Sequence, residues 1–140
     1  MNKFIKIANL ITYFVLITVL IAACGPPESI TETITEAEFQ REEFLCQDYA
    51  LTVDLQPGKL VCNGYLEGDQ VVIELIPKVE AGMAHFQILR LTIQGEEKPL
   101  DDFAELNAEL AKDTYSAEEG YSISSIVITD NDLTITSNLK

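Results

Sequence analysis

Basic and chemically reactive side chains are scarce in this sequence of 140 residues. It has nine Lys and Arg against 23 Asp and Glu, a net charge of −14, three Cys, one His and no Trp. So few cations exclude broad non-specific binding of nucleic acid, because a phosphate backbone is held by basic side chains. They also exclude a general attraction to anionic lipid headgroups. The inventory offers little for metal or nucleophilic chemistry, and we expect no cofactor.

Charge is also missing from a long apolar stretch near the start. Residues 7–23 carry no charge and follow the basic pair Lys3 and Lys6. Such a segment is typical of a signal peptide or a membrane span. Its last residues and the next one, Ile21-Ala22-Ala23-Cys24, match the bacterial lipobox, in which the cysteine is lipidated on sulfur and becomes the new N-terminus. We therefore predict a lipoprotein signal peptide over residues 1–23 and a lipid on Cys24; the alternative is an uncleaved anchor helix with a chance cysteine.

Removal of this leader deepens the acidity of the chain. All 23 acidic residues but only seven of the basic ones follow Cys24, so the remaining 117 residues carry a charge of −16. Two or three acyl chains hold such a protein stably on a membrane. We expect a bacterial cell-envelope location outside the cytoplasm, on the outer membrane or on the outer face of the cytoplasmic membrane. Residues 24–33 are short, polar and broken by prolines, which predicts a flexible tether before a single domain over residues 34–140.

Two further cysteines, Cys46 and Cys62, would lie in an oxidising compartment. An even pair outside the cytosol favours a disulfide. Closing a loop of about fifteen residues stabilises a small domain by roughly 3 kcal/mol in the chain-entropy model. The alternative is a pair of buried free thiols.

The remaining periodicity predicts two helices and six strands. Thr35-x-x-Glu38 is a capping box, and Ile34 and Phe39 flank it as a hydrophobic staple. Apolar alternation and Gly or Pro turns predict a four-strand antiparallel meander, then a helix with a buried stripe, then a hairpin. The predicted helices are 36–48 and 101–112, and the predicted strands are 51–56, 59–66, 70–77, 83–94, 121–129 and 133–137.

This order, α-β-β-β-β-α-β-β, predicts an α+β fold in which two helices cover a curved antiparallel sheet of about six strands. Two strands depart from simple alternation. Both faces of residues 71–76 are largely apolar, and the apolar face of residues 86–93 changes parity between Ile88 and Leu89. A half-solvated strand does not show this pattern. Either the sheet bulges there and its second face is covered, or the extra apolar surface lines a groove for an acyl chain.

The sequence contains no recognisable catalytic motif, and we expect that the protein is not an enzyme. Ser122, Ser124 and Ser125 lie on a predicted strand without a GxSxG elbow. The one histidine, His85, begins a strand beside no acid that the sequence can place. Residues 130–132, Asp-Asn-Asp, lack the glycine and distal glutamate of a calcium loop and are typical of a hairpin turn.

The domain resembles the LmeA-like group of bacterial envelope proteins. The resemblance rests on Ile-Thr-Glu-x-Glu-Phe at residues 34–39, Val-Asp-Leu-Gln-Pro-Gly-Lys-Leu-Val at 53–61, a turn centred on Pro77, Leu-x-Ile-Gln-Gly before Lys-Pro-Leu at 91–100, and Ser-Ser-Ile-Val-Ile-Thr-Asp-x-Asp-Leu-Thr-Ile-Thr at 124–136. It implies phospholipid binding in a groove between a curved sheet and its helices. It implies no catalytic residue.

Two functional hypotheses follow. The first is a non-catalytic, membrane-anchored module with a phospholipid ligand. Its candidate lining residues are Val72, Ile76, Phe86, Ile88, Leu91, Ile93, Phe103, Leu106 and Leu110. The second is an interaction or envelope-assembly lipoprotein whose two-sided apolar strands bind a protein partner.

Overall fold

A computed structural model describes residues 25–41 and 45–140. The predicted leader and Cys24 lie outside the described residues. Eight longer elements and several short ones form the domain. In chain order they are β1 (Ser29–Thr35), α1 (Glu36–Phe39), α2 (Leu45–Asp48), β2 (Thr52–Gln56), β3 (Lys59–Leu66), β4 (Asp69–Glu80), β5 (Met83–Ile93), β6 (Glu96–Glu97), a 3₁₀ turn (Leu100–Phe103), α3 (Ala104–Leu110), β7 (Tyr115–Ser116), β8 (Tyr121–Ile128) and β9 (Asp132–Leu139).

The strands form two antiparallel sheets. The larger sheet has the order β2-β3-β4-β5-β6, with β7 pairing to the start of β5. The smaller sheet has the order β1-β9-β8. The fold is thus mostly sheet with few helical residues, and the predicted antiparallel meander of residues 51–94 is confirmed.

Backbone hydrogen bonds join the two sheets at one end of the larger one. The N–H of Ile123 on β8 donates to the carbonyl of Gly82 at 2.9 Å, and the N–H of Gly58 donates to the carbonyl of Ile128 at 2.9 Å. Gly58 and Gly82 lie in the turns that follow β2 and β4, so β8 crosses the end where both turns lie. A Cβ on Gly82 would come within 2.9 Å of the Cβ of Ser122, and its φ of +77° also favours glycine.

The core lies on the inner face of the larger sheet. Val71, Ile73 and Leu75 of β4 are buried there. They pack in one cluster with buried side chains from the other elements, namely Phe39, Cys46, Leu51, Val53, Leu55, Leu60, Cys62, Phe86, Ile88, Phe103, Leu110, Ile128 and Leu133. Side chains of both helical regions and of the smaller sheet therefore belong to the same core cluster.

The parity change in β5 is a bulge. Leu75 pairs with Ile88 but Glu74 pairs with Arg90, which leaves Leu89 as the extra residue. Two residues then oppose one, and the strand turns its opposite set of side chains inward. Leu91 and Ile93 consequently pack against the core after the bulge, as Phe86 and Ile88 do before it. The bulge that belongs to the first of the two explanations is therefore present.

The capping box at the start of α1 is confirmed. The Thr35 N–H and hydroxyl donate to Oε2 of Glu38 at 2.9 Å and 2.8 Å, and the Glu38 N–H donates to the Thr35 hydroxyl at 3.3 Å. The Thr35 backbone hydrogen bond, then its hydroxyl, and also the charge of Arg41, hold the pKa of the Glu38 carboxyl below its ordinary value.

The disulfide between Cys46 and Cys62 is confirmed. Its Cα atoms are 5.3 Å apart, and it joins α2 to β3 across a separation of 16 residues. Both cysteines are fully buried. The bond therefore holds α2 against the larger sheet.

Two boundaries differ from the predictions. Helix 36–48 is not continuous: α1 ends at Phe39, a turn follows at Gln40 and Arg41, and α2 begins at Leu45. The side chain of Gln40, just after α1, accepts a hydrogen bond from the Val53 N–H of β2. Cys46 of α2 is instead disulfide-bonded to Cys62 of β3, so different strands hold the two short helices. The second helix starts as a 3₁₀ turn over Leu100–Phe103 and continues as α3 to Leu110.

The predicted tether over residues 24–33 is replaced in part by strand β1. Ser29–Thr35 pairs with β9 over seven residues, from Ser29 opposite Asn138 to Thr35 opposite Asp132. The Ile and Thr residues of this segment suit a pleated, half-buried surface. The observed order therefore begins with a strand, and β1 adds a member to the predicted terminal hairpin.

Candidate functional site

Nine candidate lining residues are spread over three environments. Phe86, Ile88, Phe103 and Leu110 are buried in the core. Leu91, Ile93 and Leu106 pack against its border. Val72 and Ile76 lie on the opposite face of β4, where their partners are Thr92 and Gln87. Among the described residues, these nine do not come together around one groove between the larger sheet and the helices.

Glu74 shares that opposite face with Val72 and Ile76. Its carboxylate lies 3.1 Å from Nζ of Lys59 and 3.8 Å from the Arg90 guanidinium, which also lies 3.6 Å from Glu97. These ion pairs make the centre of the face polar. The apolar residues beside them are only half-buried.

The smaller sheet has a largely apolar face, of which one end is buried in the core and the other end is partly exposed. Antiparallel register places three residues in each of three rows across β1, β9 and β8. The rows are Ile34/Leu133/Ile128, Glu32/Ile135/Ile126 and Ile30/Ser137/Ile123. Leu133 and Ile128 in the first row are sealed in the core, whereas Ile30, Ile34 and Ile135 are half-buried.

A groove of about 250 Å³ lies over the second and third rows. Its opposite wall is the segment from Tyr115 to Glu118, and Tyr121 lies at one side. The sheet contributes the apolar side chains of Ile30, Ile34, Ile123 and Ile135. We call this space the β1/β9 groove.

A smaller pocket of about 50 Å³ adjoins the β1/β9 groove and is lined entirely by apolar and aromatic residues. The two spaces share Ile34, Tyr115 and Ile135. Phe86 and Phe39 form the inner wall of the pocket, with ring centroids 6.3 Å apart in an edge-to-face arrangement. Tyr115 packs against Phe86 at 6.4 Å. The β1/β9 groove, at about 250 Å³, is slightly below the lower end of ligand pockets in proteins, about 300 Å³.

The charges that line the groove are all negative. Glu32 and Glu118 are its two ionisable residues besides the tyrosines, and both are exposed at its rim. A bound anion would be repelled by both carboxylates. The groove therefore suits an apolar group attached to an uncharged or zwitterionic headgroup.

A third depression, of about 340 Å³, lies between α2 and α3. Leu106 and Leu110 line it, but so do Asp48, Glu109, Lys112 and Asp113. So many charged groups give it a polar wall that does not match an acyl chain. Two of the nine predicted lining residues, Leu106 and Leu110, line this depression. One of the nine, Phe86, lines the inner pocket beside the β1/β9 groove.

Sequence reasoning missed the β1/β9 groove because it assigned residues 29–33 to the tether. The available signal was the spacing of Ile30 and Ile34, which places both isoleucines on one face of a strand.

Within residues 25–41 and 45–140, no helix is long and apolar enough to cross a membrane. Over the same residues, no three His, Cys, Asp or Glu side chains are grouped so as to hold a metal ion.

Comparisons with known proteins find no matching family model, no similar curated protein and no similar solved structure.

Proposed function

We propose that the protein is a lipid-anchored lipoprotein of the bacterial envelope whose domain binds one acyl chain, without catalysis, in the β1/β9 groove. The observation that carries the ligand proposal is that this groove and the wholly apolar pocket lined by Phe39 and Phe86 share three lining residues, Ile34, Tyr115 and Ile135. The lipobox at residues 21–24 and the buried disulfide support an extracytoplasmic location.

The form of the groove supports a partial rather than a complete lipid as occupant. The groove volume of about 250 Å³ is small for a ligand site. The apolar residues Ile34, Phe86 and Ile135 suit the end of a chain, and the exposed lining residues Glu32 and Glu118 mark the side on which a headgroup would meet solvent. The ligand class is a lipid with a neutral or zwitterionic head, since Glu32 and Glu118 flank the opening.

The first prediction concerns Ile135, which lines both the groove and the inner pocket. In the mature chain with Cys24→Ser, Ile135→Glu should weaken binding of the neutral fluorescent probe N-phenyl-1-naphthylamine at least about tenfold, because a buried unpaired carboxylate is costly in an apolar site. Fluorescence titration measures the change. Displacement by monopalmitoylglycerol should be more effective than displacement by palmitate, whose carboxylate is repelled at the rim.

The matched control is Val127→Glu. Val127 lies on β8 and is 54% exposed, so the same change adds a carboxylate to the smaller sheet outside the groove. Binding should match that of the parent protein. Equal probe affinity in the parent and in Ile135→Glu, with both proteins folded by circular dichroism, would overturn the assignment of the groove.

A further inference from the structure

The end of the domain next to the predicted lipid is held by three hydrogen bonds. The Tyr121 hydroxyl donates to the carbonyl of Pro27 at 2.8 Å, and the Leu139 N–H donates to the carbonyl of Glu28 at 2.9 Å. The Ile123 N–H donates to Gly82 at 2.9 Å, which brings the turn between β4 and β5 to the same place. We call this region, residues 27–28, 82–83, 121 and 139, the anchored end.

These contacts shorten the free chain between lipid and domain. Pro27 is already attached to Tyr121 and lies three residues after Cys24, with only Gly25 and Pro26 between them. Three extended residues span about 10 Å, whereas the ten residues of the predicted tether would span about 35 Å. A lipid on Cys24 therefore holds the anchored end close to the bilayer surface.

Large apolar side chains are exposed at this same end. Leu139 pairs with Tyr121, Met83 follows Gly82, and Tyr115 pairs with Ala84 next to Met83. Leu139, Met83 and Tyr115 are 43%, 40% and 41% exposed. Apolar and aromatic side chains of this kind are stabilised at the boundary between headgroups and acyl chains.

We propose that the anchored end rests on the lipid bilayer, with Leu139, Met83 and Tyr115 in contact with it, and that the β1/β9 groove opens next to that surface. The inference rests on the proposed lipid at Cys24. The partner is the membrane to which the protein is attached, because the short free chain brings no other surface so close. Tyr121, which fixes Pro27, also lines the groove, so the groove lies beside the attachment point.

Charge determines which bilayers suit this contact. Glu28, Glu80, Glu118 and Glu119 are exposed residues within a few positions of the anchored end, whereas Lys140 is the basic residue there. Neutral or zwitterionic headgroups should therefore be favoured over anionic ones, with a repulsion that salt screens. The test accordingly uses phosphatidylcholine vesicles.

A matched pair of tryptophan variants tests the contact, since the sequence has no tryptophan of its own. Leu139→Trp places the probe at the anchored end. Leu100→Trp makes the same change at a residue that is 62% exposed and lies seven positions beyond the far end of β5. Both variants are produced as the lipidated protein and reconstituted in phosphatidylcholine vesicles whose acyl chains carry bromine, which quenches tryptophan on contact.

Quenching should be at least about twofold stronger for Leu139→Trp than for Leu100→Trp, because burial of apolar side chains at the interface adds to the pull of the anchor. An insertion of about ten Gly and Ser residues between Gly25 and Pro26 should reduce this difference, since a flexible linker lets the domain leave the surface. Equal quenching at the two positions without the insertion would overturn the inference.

The same vesicles separate this inference from the ligand proposal. Ile135→Glu, added to Leu139→Trp, should leave the bromine quenching unchanged, because Ile135 lies inside the groove. If quenching of Leu139→Trp is strong but the groove binds no probe, the proposed membrane contact stands and the ligand proposal fails. If the groove binds its probe but the two tryptophans are quenched alike, only the proposed membrane contact fails.

Discussion

Side-chain oxygens close the open strand edges of the larger sheet. β2 is an edge strand, and its outward N–H groups at Val53 and Leu55 donate to the side chains of Gln40 at 2.6 Å and Glu36 at 2.8 Å. On β5 the Ile88 N–H donates to Oδ1 of Asn107 in α3 at 2.7 Å. An unpaired edge is a template for association with another chain. Gln40, Glu36 and Asn107 accept hydrogen bonds from three of these edge N–H groups. The same bonds hold the α1 region and α3 on the sheet.

At the scale of single residues, the prediction concerns the contribution of Asn107 to stability. Asn107→Ala should lower the free energy of unfolding by about 1–3 kcal/mol, because the N–H of the buried Ile88 loses its acceptor. Urea denaturation followed by circular dichroism measures the loss. Asn107→Asp, which keeps an acceptor oxygen, should lose clearly less; the same loss in both variants would show that the hydrogen bond does not stabilise the domain.

At the scale of elements, the sequence predicts those strands whose side chains alternate and whose ends carry Gly or Pro. Leu51, Val53 and Leu55 alternate before Pro57-Gly58, and β2 and β3 form there. The change of parity at Leu89 predicts an irregularity, and the register shows the bulge. The predicted hairpin of residues 121–129 and 133–137 also forms, with Ile126 opposite Ile135 and Ile128 opposite Leu133.

The elements that were missed depend on partners far along the chain. β1 has few apolar residues and prolines before it, and it becomes a strand because β9, about a hundred residues later, offers a free edge. Sequence periodicity does not contain that pairing. The groove was missed for the same reason, because its lining comes from β1 and from β7 with the two residues that follow it, Ala117 and Glu118.

The disulfide gives the prediction at the scale of elements. The double variant Cys46→Ala/Cys62→Ala should lose roughly 3 kcal/mol of unfolding free energy, since the loop of 16 residues is no longer closed in the unfolded chain. Chemical denaturation of the two proteins at equal pH and temperature measures the difference. Because both cysteines are fully buried, dithiothreitol should reduce the parent protein much faster in urea than in buffer. Equal stability with and without the bond would contradict this account.

At the scale of the whole molecule, the chain is strongly acidic, and carboxylates lie beside its exposed apolar residues. The chain after Cys24 carries a charge of −16, which disfavours contact with anionic lipid. Exposed apolar residues at the anchored end lie beside the opening of the groove. In the proposed function, a short attachment, an apolar contact surface and the β1/β9 groove would lie on one side of this acidic domain, which would suit it to take a single acyl chain from the adjacent bilayer.

The most direct test of this account is native mass spectrometry of the protein purified gently from its own membranes. The parent protein should retain one molecule of a neutral or zwitterionic lipid besides the acyl groups bonded to Cys24, and Ile135→Glu should retain none while Val127→Glu behaves as the parent does. A parent protein that emerges empty, or an Ile135→Glu variant that carries the same lipid, would contradict the claim that the β1/β9 groove binds an acyl chain.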